Sequence, residues 1–246
     1  MRACLLIPIF DHAATIRGVV ESLAPFGLPL LIENDGSGGA TRVVLDALAK
    51  EHDWIAIEHH EQNRGKGFAL KQGYLRAAAR GFTHVVQLDA DGQHDASDVG
   101  RFLQAMAARP DALVVGQPVF DASAPKSRLW GRKLSVWLVA LATLSRRIGD
   151  PLCGFRGVPL APVLRLLDHV ELGDHMEFEP DLAVRLVWDG TPVVHLATRV
   201  RYFANGISHF DVVWDDLRLA WLYVRLGLGM LARLPGLLAA RGRAPA

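Results

Sequence analysis

The sequence predicts an α/β fold: a mostly parallel sheet with helices on both faces, followed by an amphipathic C-terminal helix. Three observations predict it. Apolar runs of strand length alternate with segments of helical period through the first half of the chain, joined by short connections. Several of those runs end in acidic or amide side chains. The last residues, 217–246, carry five arginines and no acid on an otherwise apolar helical pattern.

Each element has its own signal. Ala3–Phe10 is an apolar strand-length run, and Ile16, Val19, Val20 and Leu23 then recur at helical spacing. Pro25 and Gly27 punctuate before a second strand, Leu28–Ile32. Val43, Val44 and Leu48 mark a helix, Ile55–Glu58 a short strand, and Phe68, Leu70, Tyr74 and Leu75 a third helix after the loop ending at Gly65–Gly67. Thr83–Leu88 reads as strand, Asp95–Arg109 as helix and Ala112–Gly116 as strand. The pattern then changes. Phe120–Lys126 reads as loop, Leu129–Ser145 as a nearly all-round apolar helix, and Gly149–Gly157 as turns. Glu179–Trp188 reads as helix and Pro192–Phe203 as strand; from Val212 the chain reads as helix to about Arg233, where Pro235 and Gly236 interrupt it. Trp130, Trp137 and Leu141 are expected in the core, the alternative being that a lipid contacts part of that surface. These shifts divide the chain into 1–116, 117–211 as a second half of the same domain, and 212–246 as the terminal helix.

Composition limits the function. The 246 residues are 50% hydrophobic and 22% charged, which excludes bulk disorder. Lys plus Arg is 27 against 26 for Asp plus Glu, so a nucleic-acid binder with a global basic surface is not expected. Two cysteines, Cys4 and Cys153, form no disulfide framework, and with no leader-like segment a reducing cytoplasm is expected. The longest uncharged run, Leu134–Ser145, is 12 residues, short of the roughly 20 apolar residues of a spanning helix, so an integral membrane protein is not expected. The mean hydropathy is nevertheless slightly positive.

The chemistry concentrates where strands end. Val85–Leu88 runs directly into Asp89-Ala90-Asp91-Gly92-Gln93-His94. Carboxylates at i and i+2 of extended chain point the same way and can converge on one ion. Ligands of open α/β sheets bind beyond the carboxyl ends of strands, and hard oxygen donors suit Mg²⁺ or Mn²⁺ on a diphosphate. The alternative is a solvated turn with Asp95 or Ser97 capping the next helix. Leu31–Ile32 likewise leads into Glu33-Asn34-Asp35-Gly36-Ser37, groups able to read a base or ribose, or to form a Gly-rich turn. Asn63-Arg64-Gly65-Lys66-Gly67 precedes a helix; its small residues permit close backbone approach and the helix start favours anions, without Walker A spacing. Arg128 and Arg132, four apart on one helix face, form either a phosphate clamp or a solvated surface.

These segments, in this order, resemble the family 2, GT-A-type (Rossmann-like) glycosyltransferases, in particular the dolichyl-phosphate mannosyltransferase branch. Ile7-Pro8-Ile9-Phe10-Asp11-His12, Asn34 to Ser37, Asn63 to Gly67 and Asp89 to His94 match its successive motifs. So do Asp150-Pro151-Leu152-Cys153-Gly154-Phe155-Arg156 and Tyr202 to His209, so that the resemblance spans roughly residues 3–216. It implies an inverting, metal-dependent sugar transfer from a nucleoside-diphosphate sugar to a membrane-associated acceptor, such as a polyprenyl phosphate or another lipid. Pro8, Phe10 and Asp35, with Asp11, His12, Asn34, Lys66 and Ala90 in the same motifs, would bind the donor. Asp89 and Asp91 would hold Mg²⁺ or Mn²⁺ with Gln93. Arg128 and Arg132 would meet a phosphate. A phosphate acceptor needs no general base; for a hydroxyl, Asp150 and Asp181 are the candidates. His12 and Asn34 stand where the family usually has Glu and Asp, which leaves open a catalytically silent nucleotide-sugar binder. A sugar nucleotidyltransferase would need a Gly-rich, basic loop that Pro8–His12 lacks.

The terminal helix accounts for the hydropathy. Arg218, Arg225 and Arg233 form a stripe flanked by Trp214 and Trp221, with Leu217, Val224, Leu226, Met230 and Leu231 elsewhere. Such a helix lies in a bilayer interface, so residues 212–246 are expected on the cytoplasmic face of a membrane. The alternative is an ordinary helix docked on the domain. The net charge of +1 is −4 over residues 1–216 and +5 over 217–246.

Overall fold

The computed structural model describes residues 1–120, 126–201 and 210–241, with no side-chain description for 126–128, 240 and 241. Strands are β1 (Ala3–Ile9), β2 (Leu30–Asn34), β3 (Ile55–His59), β4 (His84–Gln87), β5 (Leu113–Phe120), β6 (Arg156–Pro159) and β7 (Val193–Val200). Helices are α1 (Ala13–Leu23), α2 (Gly39–Glu51), α3 (Lys66–Ala79), α4 (Val99–Ala108), α5 (Lys126–Thr143), α6 (Leu160–Leu167), α7 (Phe178–Trp188) and α8 (Trp214–Arg241). They build one seven-stranded sheet in the order β3-β2-β1-β4-β6-β5-β7, parallel except for β6.

Alternation along β1 explains why both faces are covered. Leu5, Ile7 and Ile9 join one apolar cluster with Ile16, Val86 and Phe102, while Cys4 and Leu6 join the other with Leu70, Tyr74 and Phe178. Such strands read as unbroken apolar runs because each side chain is buried whichever way it points.

The chain winds outward from β1 in both directions, so β1 and β4 part at their carboxyl ends. β1 and β4 pair only as far as Leu6 with Gln87. Pro8 sits just beyond, on the side facing β4, where a missing N–H breaks no ladder bond. The crevice this opens is the topological switch point, where α/β sheets bind ligands.

The second half departs from the sequence expectation. Part of the segment expected as turns is β6, inserted antiparallel between β4 and β5. Its four residues, Arg156-Gly157-Val158-Pro159, carry no alternation to reveal it. Gly157 is required because a Cβ there would stand 2.5 Å from Met106 Sδ. Helix α6 follows, also unexpected, with Pro162 tolerated in its first turn. β5 runs on past Gly116 to Phe120, its added residues pairing with β7. α8 continues through Pro235 to Arg241, since an exposed helix can leave the lost backbone bond to water.

Helix α5 corrects a further expectation. Trp130 and Trp137 are 73% and 61% exposed, and Leu134 and Leu141 lie on the same outer face. The core is met instead by Ser135, Val139 and Ala142. On α8, Leu219, Leu222 and Leu226 are buried against α5 and α7, while Trp214, Leu217, Trp221, Val224, Leu228, Leu231 and Leu238 face outward. Trp214–Ala239 is also long and apolar enough, by length and composition, to cross a membrane. The uncharged-run criterion missed this because widely spaced arginines interrupt the stretch without making it polar.

Candidate active site

Asp89 and Asp91 leave the end of β4 at the crevice. Asp89 Oδ1 lies 2.7 Å from Lys66 Nζ, and the same ammonium is 2.8 Å from Glu179 Oε2. His94 Nε2 is 3.7 Å from Asp89 Oδ2. On its other side Asp89 rests directly on Gly154, where a Cβ would overlap the carboxylate. Burial alone would raise the Asp89 pKa, but Lys66 and His94 hold it well below the usual carboxylate range. Burial would likewise depress the Lys66 pKa, but Asp89 and Glu179 keep it above the ordinary lysine value.

Asp91 is the contrasting member. Its Oδ1 accepts the Gln93 N–H at 2.9 Å, and burial and the charge on Asp89 raise its pKa. A carboxylate whose proton affinity is raised by burial and a neighbouring carboxylate is one whose charge a divalent cation would relieve. Asp89, Asp91 and Gln93 carry side-chain oxygens of the hard type that Mg²⁺ or Mn²⁺ would take. Among the described residues no cluster of three His, Cys, Asp or Glu side chains offers an all-protein cage. A site with two carboxylates leaves room for substrate oxygens.

Below the carboxylates lies a buried polar network that sequence reasoning missed. Glu179, in the first turn of α7, accepts from Gln87 Nε2 at 2.7 Å, and Gln87 accepts from the Tyr74 hydroxyl. Arg156 is fully buried; it donates to the carbonyls of Cys153, Glu179 and Pro151, and its Nε lies 3.8 Å from Glu179 Oε1. The available signal was an acid in the first turn of a mostly apolar helix and an arginine closing the Cys153-Gly154-Phe155-Arg156 segment.

The loops that follow β1, β2 and β3 are laced to one another. Asp11, at φ +51°, accepts the Gly38 N–H at 2.7 Å, and its own N–H donates to Ser37 Oγ at 3.0 Å. Asp35 accepts from the backbone of Arg64 and Gly65 at 3.0 and 2.7 Å, so it acts here as a loop tie. Asn34 is also engaged: Oδ1 accepts the Ser37 N–H at 3.1 Å and Nδ2 reaches His59 Nδ1 at 2.7 Å. The Ala90 carbonyl accepts from Thr15 Oγ1 at 2.7 Å. Pro8 is buried; Phe10 and His12 are half-buried beside these ties. The close approach allowed by Gly65 and Gly67 is taken by the chain's own 173–178 segment, with the Phe68 N–H donating to the Asp174 carbonyl at 2.9 Å.

On the far side of the crevice, Arg132 Nη1 meets Asp150 Oδ2 at 2.7 Å, and its guanidinium stacks 5.4 Å from the Phe120 ring centroid. Gln117, Leu129, Lys133 and Gly149 complete this cleft. Asp181 does not join it. Fully buried on α7, it bonds Arg185 Nε at 2.6 Å and lies 3.9 Å from Arg225 of α8, so it anchors helices instead of facing the site. The Arg128 side chain and Tyr202–His209 lie outside the described residues. The chain entering the latter segment is nonetheless tied to the acidic loop, with the Arg201 N–H donating to the Gln93 carbonyl at 3.0 Å.

The family model described as glycosyl transferase family 2 matches residues 4–164. Polyprenol monophosphomannose synthase of Mycolicibacterium smegmatis is 28% identical over 135 residues, covering 53% of this chain and 50% of that protein. Undecaprenyl-phosphate mannosyltransferase of Micrococcus luteus is 26% identical over 174 residues, covering 68% of this chain and 70% of that protein. The match thus spans half the length of the first relative. Among solved structures, glucosyl-3-phosphoglycerate synthase from Mycobacterium tuberculosis, in complex with Mn²⁺ and UDP-glucose, aligns at a TM-score of 0.63. It is 19% identical, with 99% of this chain and 80% of that chain covered, a likeness of fold.

Proposed function

The chain belongs to glycosyl transferase family 2, and on that premise we propose that it transfers a sugar, with inversion, from a nucleoside-diphosphate sugar to a polyprenyl phosphate or similar lipid at a membrane surface. Asp89, Asp91 and Gln93 would hold Mg²⁺ or Mn²⁺, which supplies positive charge to offset the departing diphosphate.

The observation that carries the acceptor assignment is the double role of α5. Its inner face brings Arg132 to Asp150 in the cleft, and its outer face exposes Trp130, Leu134, Trp137 and Leu141 beside α8. A lipid phosphate has both parts this arrangement would recognise: an anionic head for Arg132 and an apolar tail continuing along the exposed face. The relatives named above carry polyprenol and undecaprenyl phosphate in their names, in keeping with this reading.

The proton inventory supports the same acceptor. Asp150 is occupied by Arg132 and Asp181 by Arg185, so neither stands ready to take a hydroxyl proton. A phosphate oxygen is already an anion. It attacks the anomeric carbon, the bond to the diphosphate breaks, and no residue has to accept a proton. Asp150 then aims the guanidinium, and Arg132 holds the acceptor.

Three arginines along α8, Arg218, Arg225 and Arg233, favour a helix lying on an anionic cytoplasmic leaflet over one crossing it, although Arg218 and Arg225 also meet Asp215 and Asp181. The direct experiment incubates the protein with Mn²⁺, a panel of nucleoside-diphosphate sugars and undecaprenyl phosphate in anionic vesicles. Radiolabelled sugar should enter the lipid phase as a phosphodiester. Transfer only to water-soluble hydroxyl acceptors would refute the lipid-phosphate assignment.

A further inference from the structure

Lys66 is an unusual residue for its position. It is the first residue of α3, where the helix dipole disfavours a cation, and its side chain is largely buried. What holds it there is a pair of carboxylates from distant parts of the chain, Asp89 at 2.7 Å and Glu179 at 2.8 Å. The two differ in freedom. Glu179 is fixed by Gln87, by Arg156 on its carbonyl, and by its place in the first turn of α7, where the dipole favours an acid. Lys66 has a flexible four-carbon stem and needs only terminal rotations to shift between the two oxygens.

We propose that Lys66 is the resident counter-ion of Asp89 when no divalent cation is bound, and that Glu179 is the fixed carboxylate onto which it withdraws when a cation takes Asp89. Glu179 is then a positioning residue acting through Lys66. The inference rests on the assignment of Asp89 and Asp91 to a divalent cation, but its test reads cation binding and not transfer.

The electrostatics give it opposite signs for two variants. An ammonium beside Asp89 repels an incoming cation, and in a partly buried site that repulsion is only weakly screened. Lys66 therefore weakens binding of the bare ion. A cation that arrives with a diphosphate brings negative charge that offsets the ammonium, so the arrangement discriminates against the free ion. Removing Glu179 leaves Lys66 with Asp89 alone and tightens that pair at the ion's expense. A structural role for both residues would weaken binding in both variants.

The test is Mn²⁺ alone, titrated into the full chain without nucleotide and followed by electron paramagnetic resonance of the free ion. Lys66→Gln should bind Mn²⁺ at least ~10-fold more tightly than the unaltered protein, and Glu179→Gln at least ~3-fold more weakly. Lys66→Arg, which keeps the charge, should not gain affinity. Loss of affinity in both Lys66→Gln and Glu179→Gln, no change in either, or no measurable Mn²⁺ in any variant would overturn the proposal. If Lys66→Gln fails to fold, as judged by circular dichroism, Glu179→Gln decides alone: unchanged or tighter binding refutes it. Asp91→Asn in the same titration isolates the premise, since unchanged affinity there rejects the cation assignment itself.

Discussion

The carboxylate of Asp89 rests on the Cα of Gly154, from the segment that leads into β6, so that any Cβ at 154 would occupy the space the carboxylate fills. This contact is why glycine is needed in Cys153-Gly154-Phe155-Arg156, and it ties the first half of the chain to the second. Gly154→Ala should displace Asp89 and lower turnover about 100-fold, the typical result of moving a reacting group by an ångström. Gly18→Ala is the control. It lies within α1 with open space around it, and should raise stability by about 0.5–1 kcal/mol without changing turnover. Equal activity of Gly154→Ala and the unaltered protein would show that the Asp89 position is immaterial.

Asp91→Asn separates chemistry from folding. Turnover should fall ~10³-fold or more, because the variant would remove one of the two charged groups proposed to hold the cation. Stability should rise. Burial and the Asp89 charge raise the Asp91 pKa in the folded protein, so its ionisation costs stability as pH climbs from the ordinary aspartate value, about 3.9, through the raised one. The variant's advantage in Tm should therefore be present at neutral pH and vanish at pH values below the unfolded-state pKa. A variant less stable than the parent at pH 7 would contradict this sign.

The Arg132–Asp150 pair predicts a split between binding and stability. Arg132→Ala should raise KM for the lipid phosphate at least ~10-fold, while KM for the sugar nucleotide changes little. Arg132→Lys should restore only part of that loss, since a single ammonium does not reproduce the planar fork. Asp150→Asn should act through Arg132, raising the same KM and lowering stability by about 1.5–3 kcal/mol for the lost charged hydrogen bond. Similar KM changes for donor and acceptor would move this cleft to the donor side.

The first half of the fold was legible because its physics is local. β1, β2 and β4 are apolar runs ending in acids, and each required only that a strand be recognised and its exit read. The residues after β1 and β2 were legible as motifs but not in their contacts. Asp35 and Asn34 turn out to have their polar atoms engaged by Gly65, Ser37 and His59, which spacing does not reveal. The second half was opaque because its elements depend on partners. β6 is a strand only because β4 and β5 flank it. Glu179 is a site residue only because α7 starts where α3 starts, a tertiary fact that no window of sequence contains. Trp130 and Trp137 were misplaced into the core because an apolar helix reads the same whether its outer face meets protein or a bilayer.

Asp181 illustrates the converse, a plausible acid that geometry removes from the reaction. Its carboxylate is held between Arg185 of its own helix and Arg225 of α8. Asp181→Asn should leave kcat within about twofold of the parent, because nothing it touches reaches Asp89 or Arg132. Burial raises the Asp181 pKa despite the two arginines, so the parent should lose stability as pH rises through that folded-state value. The variant should lack that part of the slope in a Tm-against-pH series. A kcat loss beyond tenfold would return Asp181 to the list of proton acceptors.

The exposed tryptophans supply the sharpest test of the membrane reading. Removing the whole terminal helix is uninformative, since Leu219, Leu222 and Leu226 belong to the core and their loss would disturb α5 and α7. Point changes on the outer faces avoid this. Trp214 and Trp221 lie on one turn-spaced stripe of α8, Trp130 and Trp137 on that of α5, and the two helices are neighbours. Self-association through α8 is disfavoured because Arg218 and Arg225 border its apolar stripe, and a second copy would bring like charges together. An anionic bilayer instead offers both lipid and opposite charge. Trp130→Ser with Trp137→Ser, and separately Trp214→Ser with Trp221→Ser, should each weaken co-sedimentation with anionic vesicles by about tenfold, and the four together should abolish it at moderate salt. Full retention of the fourfold variant on vesicles would refute docking through these faces. A concentration-dependent dimer lost in the Trp214 and Trp221 variant would assign the α8 stripe to a second copy of the chain.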